Sequence, residues 1–279
     1  LSELALLWST VALATPLVLA AMGGYTSERS GIINIGLEGK MLAAACATAA
    51  AAPALGAMGG ILCGIAFATA LSLLHWLATQ KYRIDHVVSG MAVNALAAGG
   101  TNFAAERFMA AGQEVPRLPI AVFAILGVLL PALLYVHEKT TRSGLRLLSV
   151  GGDPDKARLM GVQPLSVRFG ALLATGIFTG LAGAMLVNDT GRFTDNMTAG
   201  RGYIALAALI LGAWRPLPTL IACLVFGFLT SLQIQFQGVP VLGIELPSQA
   251  WSALPYVATV VALAGFLGKQ RAPAGLGKP

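Results

Sequence analysis

From Leu4 to Gly24 the chain carries no charged residue, and comparable apolar runs recur along nearly its whole length. A bilayer core of about 30 Å is crossed by about 20 apolar residues of helix, each rising about 1.5 Å. Such runs commit the chain to membrane-spanning helices before any motif is considered. Composition agrees: 56% of the residues are hydrophobic and only 11% charged, where an ordinary soluble domain carries about 25% charged residues. Beta-barrel strands alternate apolar and polar residues over about ten positions, whereas these runs are continuous and rich in Ala and Leu. With backbone polar groups to be satisfied inside lipid, helices remain as the spanning elements.

Polar punctuation therefore predicts an all-α polytopic membrane protein of about nine transmembrane segments, forming one integral membrane domain over residues 1–279. The predicted segments are Leu4–Gly24, Ile32–Ala52, Pro53–Thr79, Val87–Ala105, Ile120–Val136, Phe169–Val187, a short Ala199–Ala213, Leu217–Phe236 and Ala250–Leu267. Between the first two lies the polar patch Tyr25–Ser30, read as a loop, and the longest polar connection covers residues 137–168. Basic loop residues orient a membrane protein with their side in the cytoplasm. Lys81 and Arg83, the cluster Lys139, Arg142, Arg146, Lys156, Arg158 and Arg168, then Arg215 and the tail residues Lys269, Arg271 and Lys278 share one side if the short seventh segment crosses once. The predicted topology has the N-terminus outside and the C-terminus in the cytoplasm.

The net charge of +6 is explained by these loops and does not point to nucleic acid. Cys46, Cys63 and Cys223 lie inside apolar runs without metal-ligand spacing and read as small core residues. Trp8, Trp76, Trp214 and Trp251 fall near segment ends, as interfacial anchors do. The opening LSELALLWST has no basic region ahead of its apolar run, unlike a typical secretory signal.

A shift that carries Ala21 onto Ala184 also aligns TPLVLAAM with FTGLAGAM and GLEGKMLAAA with AGRGYIALAA, bringing Arg29 onto Arg192 and Gly39 onto Gly202. The order span, polar patch, Gly-rich interrupted run, span, span occurs twice, and the odd number of crossings between copies predicts an inverted repeat with interrupted helices. Transporters recurrently use this design, because unwound backbone near the midplane lines a polar cavity about which two halves rock. Glu38 and Arg201 occupy equivalent places in the two copies, where an isolated charge costs several kcal/mol in order of magnitude. Two readings stand: these residues, with Asn34, Lys40 and Asn94, line a translocation path, or they form a buried network that fixes helix packing. Asn102 and Tyr203 join the candidate path, and Tyr25, Phe103 and Tyr203 are candidates for stacking on a substrate ring.

Within the central loop, SVGGDPDKARLMGV carries helix punctuation: Asp153 as N-cap, Pro154 at the first helical position and Gly161 just past the end. A helix of about two turns is marginal alone in water, so it must be held by tertiary or partner contacts.

Four stretches in order, SERSGIINIGLEGKML, HVVSGMAVNALAAG, SGLRLLSVGGDPDKARLMGV and TAGRGYIALAALILGAW, resemble the permease subunits of ABC importers for nucleosides and simple sugars, the branch related to ribose permeases. The resemblance covers nearly the whole chain and is strongest at SERSGIINIGLEG and, within the nucleoside branch, to the smaller of two permeases. It implies a membrane subunit working with a second permease as a heterodimer, a cytoplasmic ABC ATPase and an extracytoplasmic substrate-binding protein. It implies that residues Asp153–Gly161 are a coupling helix docking on that ATPase, with Arg146, Gly151, Asp153, Pro154, Lys156, Ala157, Arg158 and Gly161 as coupling residues. ATP and Mg would then sit on the ATPase, with no cofactor on this chain, which has no G-x-x-x-x-G-K-[ST] phosphate loop; the tail GLGKP ends in Pro.

Other classes remain open on sequence alone. An ion-coupled secondary transporter would also suit inverted repeats with intramembrane charges. An intramembrane enzyme lacks support, since there is no HExxH or GxSxG and His75, His86 and His137 are far apart near segment ends. A purely structural subunit would have no use for polar residues in its spans. Sugars or a flavin remain alternatives to nucleosides as substrate.

Overall fold

The computed structural model describes residues 3–110, 113–237, isolated positions between 249 and 264, and residues 272–278. The expected ninth segment, Ala250–Leu267, and Lys269 and Arg271 with it, lie outside the continuously described residues. In chain order the helices are α1 (Glu3–Arg29), α2 (Leu37–Trp76, continued by a π-helical turn Leu77–Lys81), α3 (His86–Phe108), α4 (Ile120–Thr140), α5 (Arg142–Gly152), α6 (Pro154–Leu159), α7 (Pro164–Thr190), α8 (Arg201–Leu211) and α9 (Pro216–Phe236). Among the described residues there are no strands, and five helical stretches are long and apolar enough to cross a membrane.

The long α2 holds two of the expected segments. Gly56 sits at φ 73°, ψ 172°, a conformation open essentially to glycine, and there the chain reverses. The two arms, 37–55 and 57–76, pack antiparallel at very short range: a Cβ on Gly60 would fall 2.6 Å from the Ala52 Cβ, and one on Gly64 would fall 2.2 Å from the Thr48 hydroxyl. Small residues at such a crossing let backbones approach where apolar burial alone gives no drive in lipid.

Pairwise contacts fix the directions of the remaining helices. α3 runs parallel to the first arm, with Gly90 beside Gly36 and Asn94 beside Gly39, while α7 runs antiparallel to the second arm, Gly176 on Thr69 and Gly180 on Ile65. α1 is antiparallel to α7, through Gly23 on Thr179 and Thr26 on Thr175, and to α9, through Gly227 on Ala14 and Ser231 on Ser9. It is parallel to α4, through Thr15 on Gly127 and Tyr25 on Glu138. Because α7 and α9 share a direction, the chain between them returns once, as the loop charges required. The returning helix α8 has 11 residues, about 16 Å of helix, so only half the passage is α-helical and the turn-rich stretch 191–200 supplies the rest.

α1 is the hub. Leu17, Val18, Leu19, Ala20, Ala21 and Met22 are all buried, in one cluster with Met41 and Ile61 of α2, Ala184 and Met185 of α7, Ala205 and Ala208 of α8, and Phe226 of α9. The helix continues through the polar patch expected to be a loop, ending at Arg29. Ser27 stays helical because its hydroxyl bonds back to the Gly23 and Gly24 carbonyls, and Tyr25 because its hydroxyl donates to Glu138. Cys46 and Cys223 are buried and all three cysteines are free, consistent with packing roles.

Substituting Ile for Gly64 should destabilise the purified protein by about 1–3 kcal/mol, whereas Gly100→Ala, which meets nothing within 4 Å, should not. Thermal unfolding in one detergent measures both; equal effects would contradict the two-armed packing of α2.

Candidate functional site

The interrupted runs come together. The stretch 30–36 between α1 and α2 is non-helical, and its backbone groups, which cannot be left unpaired in a low-dielectric interior, are satisfied by side chains from four other places. Asn94 of α3 accepts from the Gly39 amide at 2.8 Å and donates to the Ile35 carbonyl at 3.1 Å. His86 accepts from the Ile33 amide, while His75 bonds the Ile33 carbonyl through Nε2 and Ser89 through Nδ1. Arg168 donates to the Ser30 carbonyl. His75 and His86, read from sequence as interfacial, are buried structural partners of one residue.

Among the described residues, Glu38 has no side-chain cation as partner. Its carboxylate accepts from the amides of Gly200 at 2.7 Å and Gly202 at 2.6 Å, at the start of α8, while standing in the first turn of α2. Two helix N-termini, each carrying about half a positive charge, thus converge on one buried carboxylate. Gly202 permits the approach, since a Cβ there would lie 2.5 Å from the Glu38 amide nitrogen. Arg201, expected from the sequence alignment to be its counterpart, donates instead to the Met197 carbonyl at 2.8 Å, and among the described residues the two side chains form no ion pair. The ion pairs found among the described residues are Lys156–Asp153 and Arg158–Asp155, on the central loop.

Lys40 is wholly buried and donates to Asn34 Oδ1 at 2.7 Å. Asn34 in turn donates to Ser27 from its amide group, and its backbone amide donates to Glu28. Glu28 accepts from the Trp214 indole at 2.5 Å. Lys40 and Glu28 are therefore two buried ionisable side chains bridged by one asparagine, and Trp214 is 7% exposed and belongs to that network, not to an interfacial belt as its place in the sequence suggests. Glu28 and Ser27 escape a sequence reading because they sit in the patch taken as loop; their one visible signal is helical spacing from Gly23 and Gly24.

The seven candidate path residues thus divide. Asn34, Glu38, Lys40, Asn94, Arg201 and Tyr203 surround the meeting of the α2 and α8 starts, and Asn94 donates to the Tyr203 hydroxyl at 2.9 Å. Tyr203 is 48% exposed and Asn94 and Arg201 are partly exposed, whereas Asn34, Glu38 and Lys40 are closed off. Asn102 stands apart, exposed on α3 beside Phe103. Tyr25, a stacking candidate, is 1% exposed and committed to Glu138. Toward the Gly56 end of the first arm of α2, beside Ala49, a cleft of about 570 Å³ is lined by Glu106, Gln113, Arg192, Phe193 and Asp195.

The central loop is mostly helix. Asp153 Oδ1 caps α6 through the Asp155 and Lys156 amides, Pro154 occupies its first position and Gly161 follows it at φ 80°. The Lys156 amide on its carboxylate holds Asp153 below its ordinary value, so the cap is at full strength above about pH 3.9 and is lost as pH falls through the depressed value. Arg146, Lys156 and Arg158 face solvent, but Pro154 and Ala157 face the protein. Gly151 is packed so closely that a Cβ would lie 1.9 Å from the Arg29 carbonyl. Leu159 and Met160, not singled out in the sequence, are 88% and 81% exposed.

A helical membrane chain with two broken helix starts apposed inside it, and a capped helix standing on one end, has the form of a transport permease. The comparisons agree. Residues 6–264 match the family model described as the permease component of branched-chain amino acid transport systems. The guanosine ABC transporter permease protein NupQ of Bacillus subtilis is 34% identical over 97% of this chain and 94% of its own length. The nucleoside ABC transporter permease protein NupC of Lactococcus lactis is 34% identical over 93% of this chain and 91% of its own. Among solved structures, an inward-facing metal-chelate type ABC transporter superposes with a TM-score of 0.56 at 15% identity, over 95% of this chain and 86% of that one, which shows a shared fold. The chain belongs to this family of ABC transporter permeases. It is a multi-pass membrane subunit and not itself an enzyme, and its membership implies an ATPase and a substrate-binding protein as partners.

Removing the Glu38 carboxylate leaves two amides at the α8 start without acceptors. Glu38→Ala should cost about 2–4 kcal/mol, Glu38→Gln less, and Arg201→Ala about 1 kcal/mol or below. Chemical unfolding of the purified chain ranks them, and an Arg201 effect as large as that of Glu38→Ala would refute the capping assignment.

Proposed function

We propose that this chain is the smaller permease of a nucleoside importer in a bacterial plasma membrane, one half of a heterodimer with a second permease. The two relatives named for guanosine and nucleoside transport support the substrate class. The reading has nine crossings with the N-terminus outside and the C-terminus in the cytoplasm, and α1–α2 and α7–α8 as equivalent elements of an inverted repeat. Their helix boundaries support this, since Arg29 and Thr190 end α1 and α7 and Leu37 and Arg201 begin α2 and α8.

The substrate path follows the partly exposed edge formed by Asn94, Arg201 and Tyr203. Polar side chains on an outer face of a membrane helix are costly against lipid, so this edge and Asn102 face the second permease or water. Asn34, Glu38 and Lys40 lie behind it and hold the two helix starts in register. The cleft at Arg192 and Asp195 is the outer mouth, where substrate arrives from the binding protein.

The observation that carries ATP-coupled transport is α6, a six-residue helix that ends in two almost fully exposed apolar side chains. The segment within residues 137–168 docks on the ATPase, which alone holds ATP and Mg; Arg146, Lys156 and Arg158 flank the contact, and Gly151, Asp153, Pro154, Ala157 and Gly161 shape the helix. Leu159→Asp with Met160→Asp should leave the chain folded, because neither side chain is packed, and lower uptake about tenfold or more by weakening docking. Uptake of radiolabelled guanosine and ATP hydrolysis, measured in the reconstituted complex, decide this; unchanged uptake would remove α6 from the coupling role.

A further inference from the structure

The tail motif GLGKP is notable in sequence only for lacking the hydroxyl of a phosphate loop, yet the described stretch that contains most of it, residues 272–278, is built into the protein at three points. The Gly275 amide donates to the Gly151 carbonyl at 2.9 Å, at the end of α5. Two residues on, the Gly277 amide donates to the Gly31 carbonyl at 2.8 Å, in the break between α1 and α2. Arg168 donates to the Lys278 carbonyl at 2.8 Å, and the same guanidinium holds the Ser30 carbonyl and, at 2.6 Å, the Gln80 side chain. Between these anchors Leu276 packs on the cluster of Tyr25, Leu209 and Trp214, where α8 ends and Glu28 is held.

Local geometry is specific to this contact. Gly31 and Gly277 have φ of 98° and 79°, in the region that favours glycine. A Cβ on Gly31 would lie 2.9 Å from the Gly275 carbonyl and 3.0 Å from the Arg168 guanidinium, and one on Gly275 would lie 2.9 Å from the Gly151 carbonyl. The tail also turns on itself, Leu276 to Pro273 and Lys278 to Gly275, which stiffens it. The Gly151 carbonyl lies in the last turn of α5, where carbonyls have no partner within the helix, and the Gly31 carbonyl lies in the non-helical break after α1.

We propose that residues 272–278 are a strap that ties the coupling segment α5–α6 to the broken helix start, with Arg168 as the positioning residue at its far end. Two residues of chain span at most about 7 Å, and a hydrogen bond is lost within a few tenths of an ångström beyond its normal range. A shift of the α5 end therefore either breaks the Gly275 bond or draws Gly31 with it, and with Gly31 the register of Asn34, Glu38 and Lys40. The Leu276 side chain carries the same displacement to Trp214 and the end of α8. The strap thus deepens the coupled-permease reading and rests on it for its functional meaning, whereas the mechanical link stands on the contacts alone.

Two variants test it, a chain ended after residue 271 and Gly277→Val, which strains the strap while leaving the membrane segments intact. Hydrogen exchange of the full-length chain in lipid nanodiscs reads the mechanical link. Uptake per ATP hydrolysed, in the complex with its ATPase and binding protein, reads the functional one. Each variant should raise exchange at residues 31–36 and 153–161 together and lower uptake per ATP, each by about fivefold or more, the scale of one or two lost hydrogen bonds. If the truncated chain does not accumulate, Gly277→Val carries the test. Exchange that rises only within the tail, or an unchanged uptake per ATP, overturns the strap. Wild-type uptake that proceeds without ATP would instead overturn the permease reading, while the exchange measurement still tests the link.

Discussion

The fold turns on how a buried carboxylate and two broken helix starts satisfy each other. In lipid or in a packed helical interior, an unpaired amide or charge costs several kcal/mol, so α2 and α8 cannot begin mid-protein unless something accepts from their first amides. Glu38 does this for α8 from the first turn of α2, and Asn94 does it for α2 from α3. Because each partner sits on a different helix, the positions of α2, α3 and α8 are set jointly, and displacing one leaves unpaired groups on the others.

That mutual dependence explains why the polar residues cluster on one level while the rest of the bundle packs through Ala, Gly and Leu. It also relates the site to the cytoplasmic-type loop. Gly151 lies against the last carbonyl of α1, Arg168 reaches the break from the first turns of α7, and the Lys40–Asn34–Glu28–Trp214 chain runs from α2 to the end of α8. The groups next to α5 and the groups around Glu38 are thus linked by a few hydrogen bonds, alongside the apolar cluster of Ile32, Leu147, Ala171 and Leu172.

Many of these elements are legible in the amino-acid sequence. Apolar runs locate α1, both arms of α2, α3, α4, α7 and α9 to within a few residues, although polar residues interrupt the first arm of α2, and Asp153, Pro154 and Gly161 announce α6, since capping chemistry is local. The helical continuation through Tyr25–Arg29 is not legible. Its cause is tertiary: Tyr25 and Glu28 are polar residues whose partners, Glu138 and Trp214, are remote in sequence. For the same reason Trp214 resembles an interfacial anchor in sequence and is a buried hydrogen-bond donor in the fold.

That the chain crosses a membrane as helices, and that the run following Ile32 is interrupted by polar residues, follows from hydropathy, glycine and capping preferences along a single stretch, whereas the end of α1 at Arg29 depends on remote partners. Only the tertiary structure decided who pairs with whom. The sequence alignment expects Glu38 and Arg201 at equivalent places, and charge alone would join them, yet backbone amides reach Glu38 because Gly202 lets α8 approach end-on. Partners that are backbone groups carry no residue-type signature, so the pairing appears only when the helices are assembled.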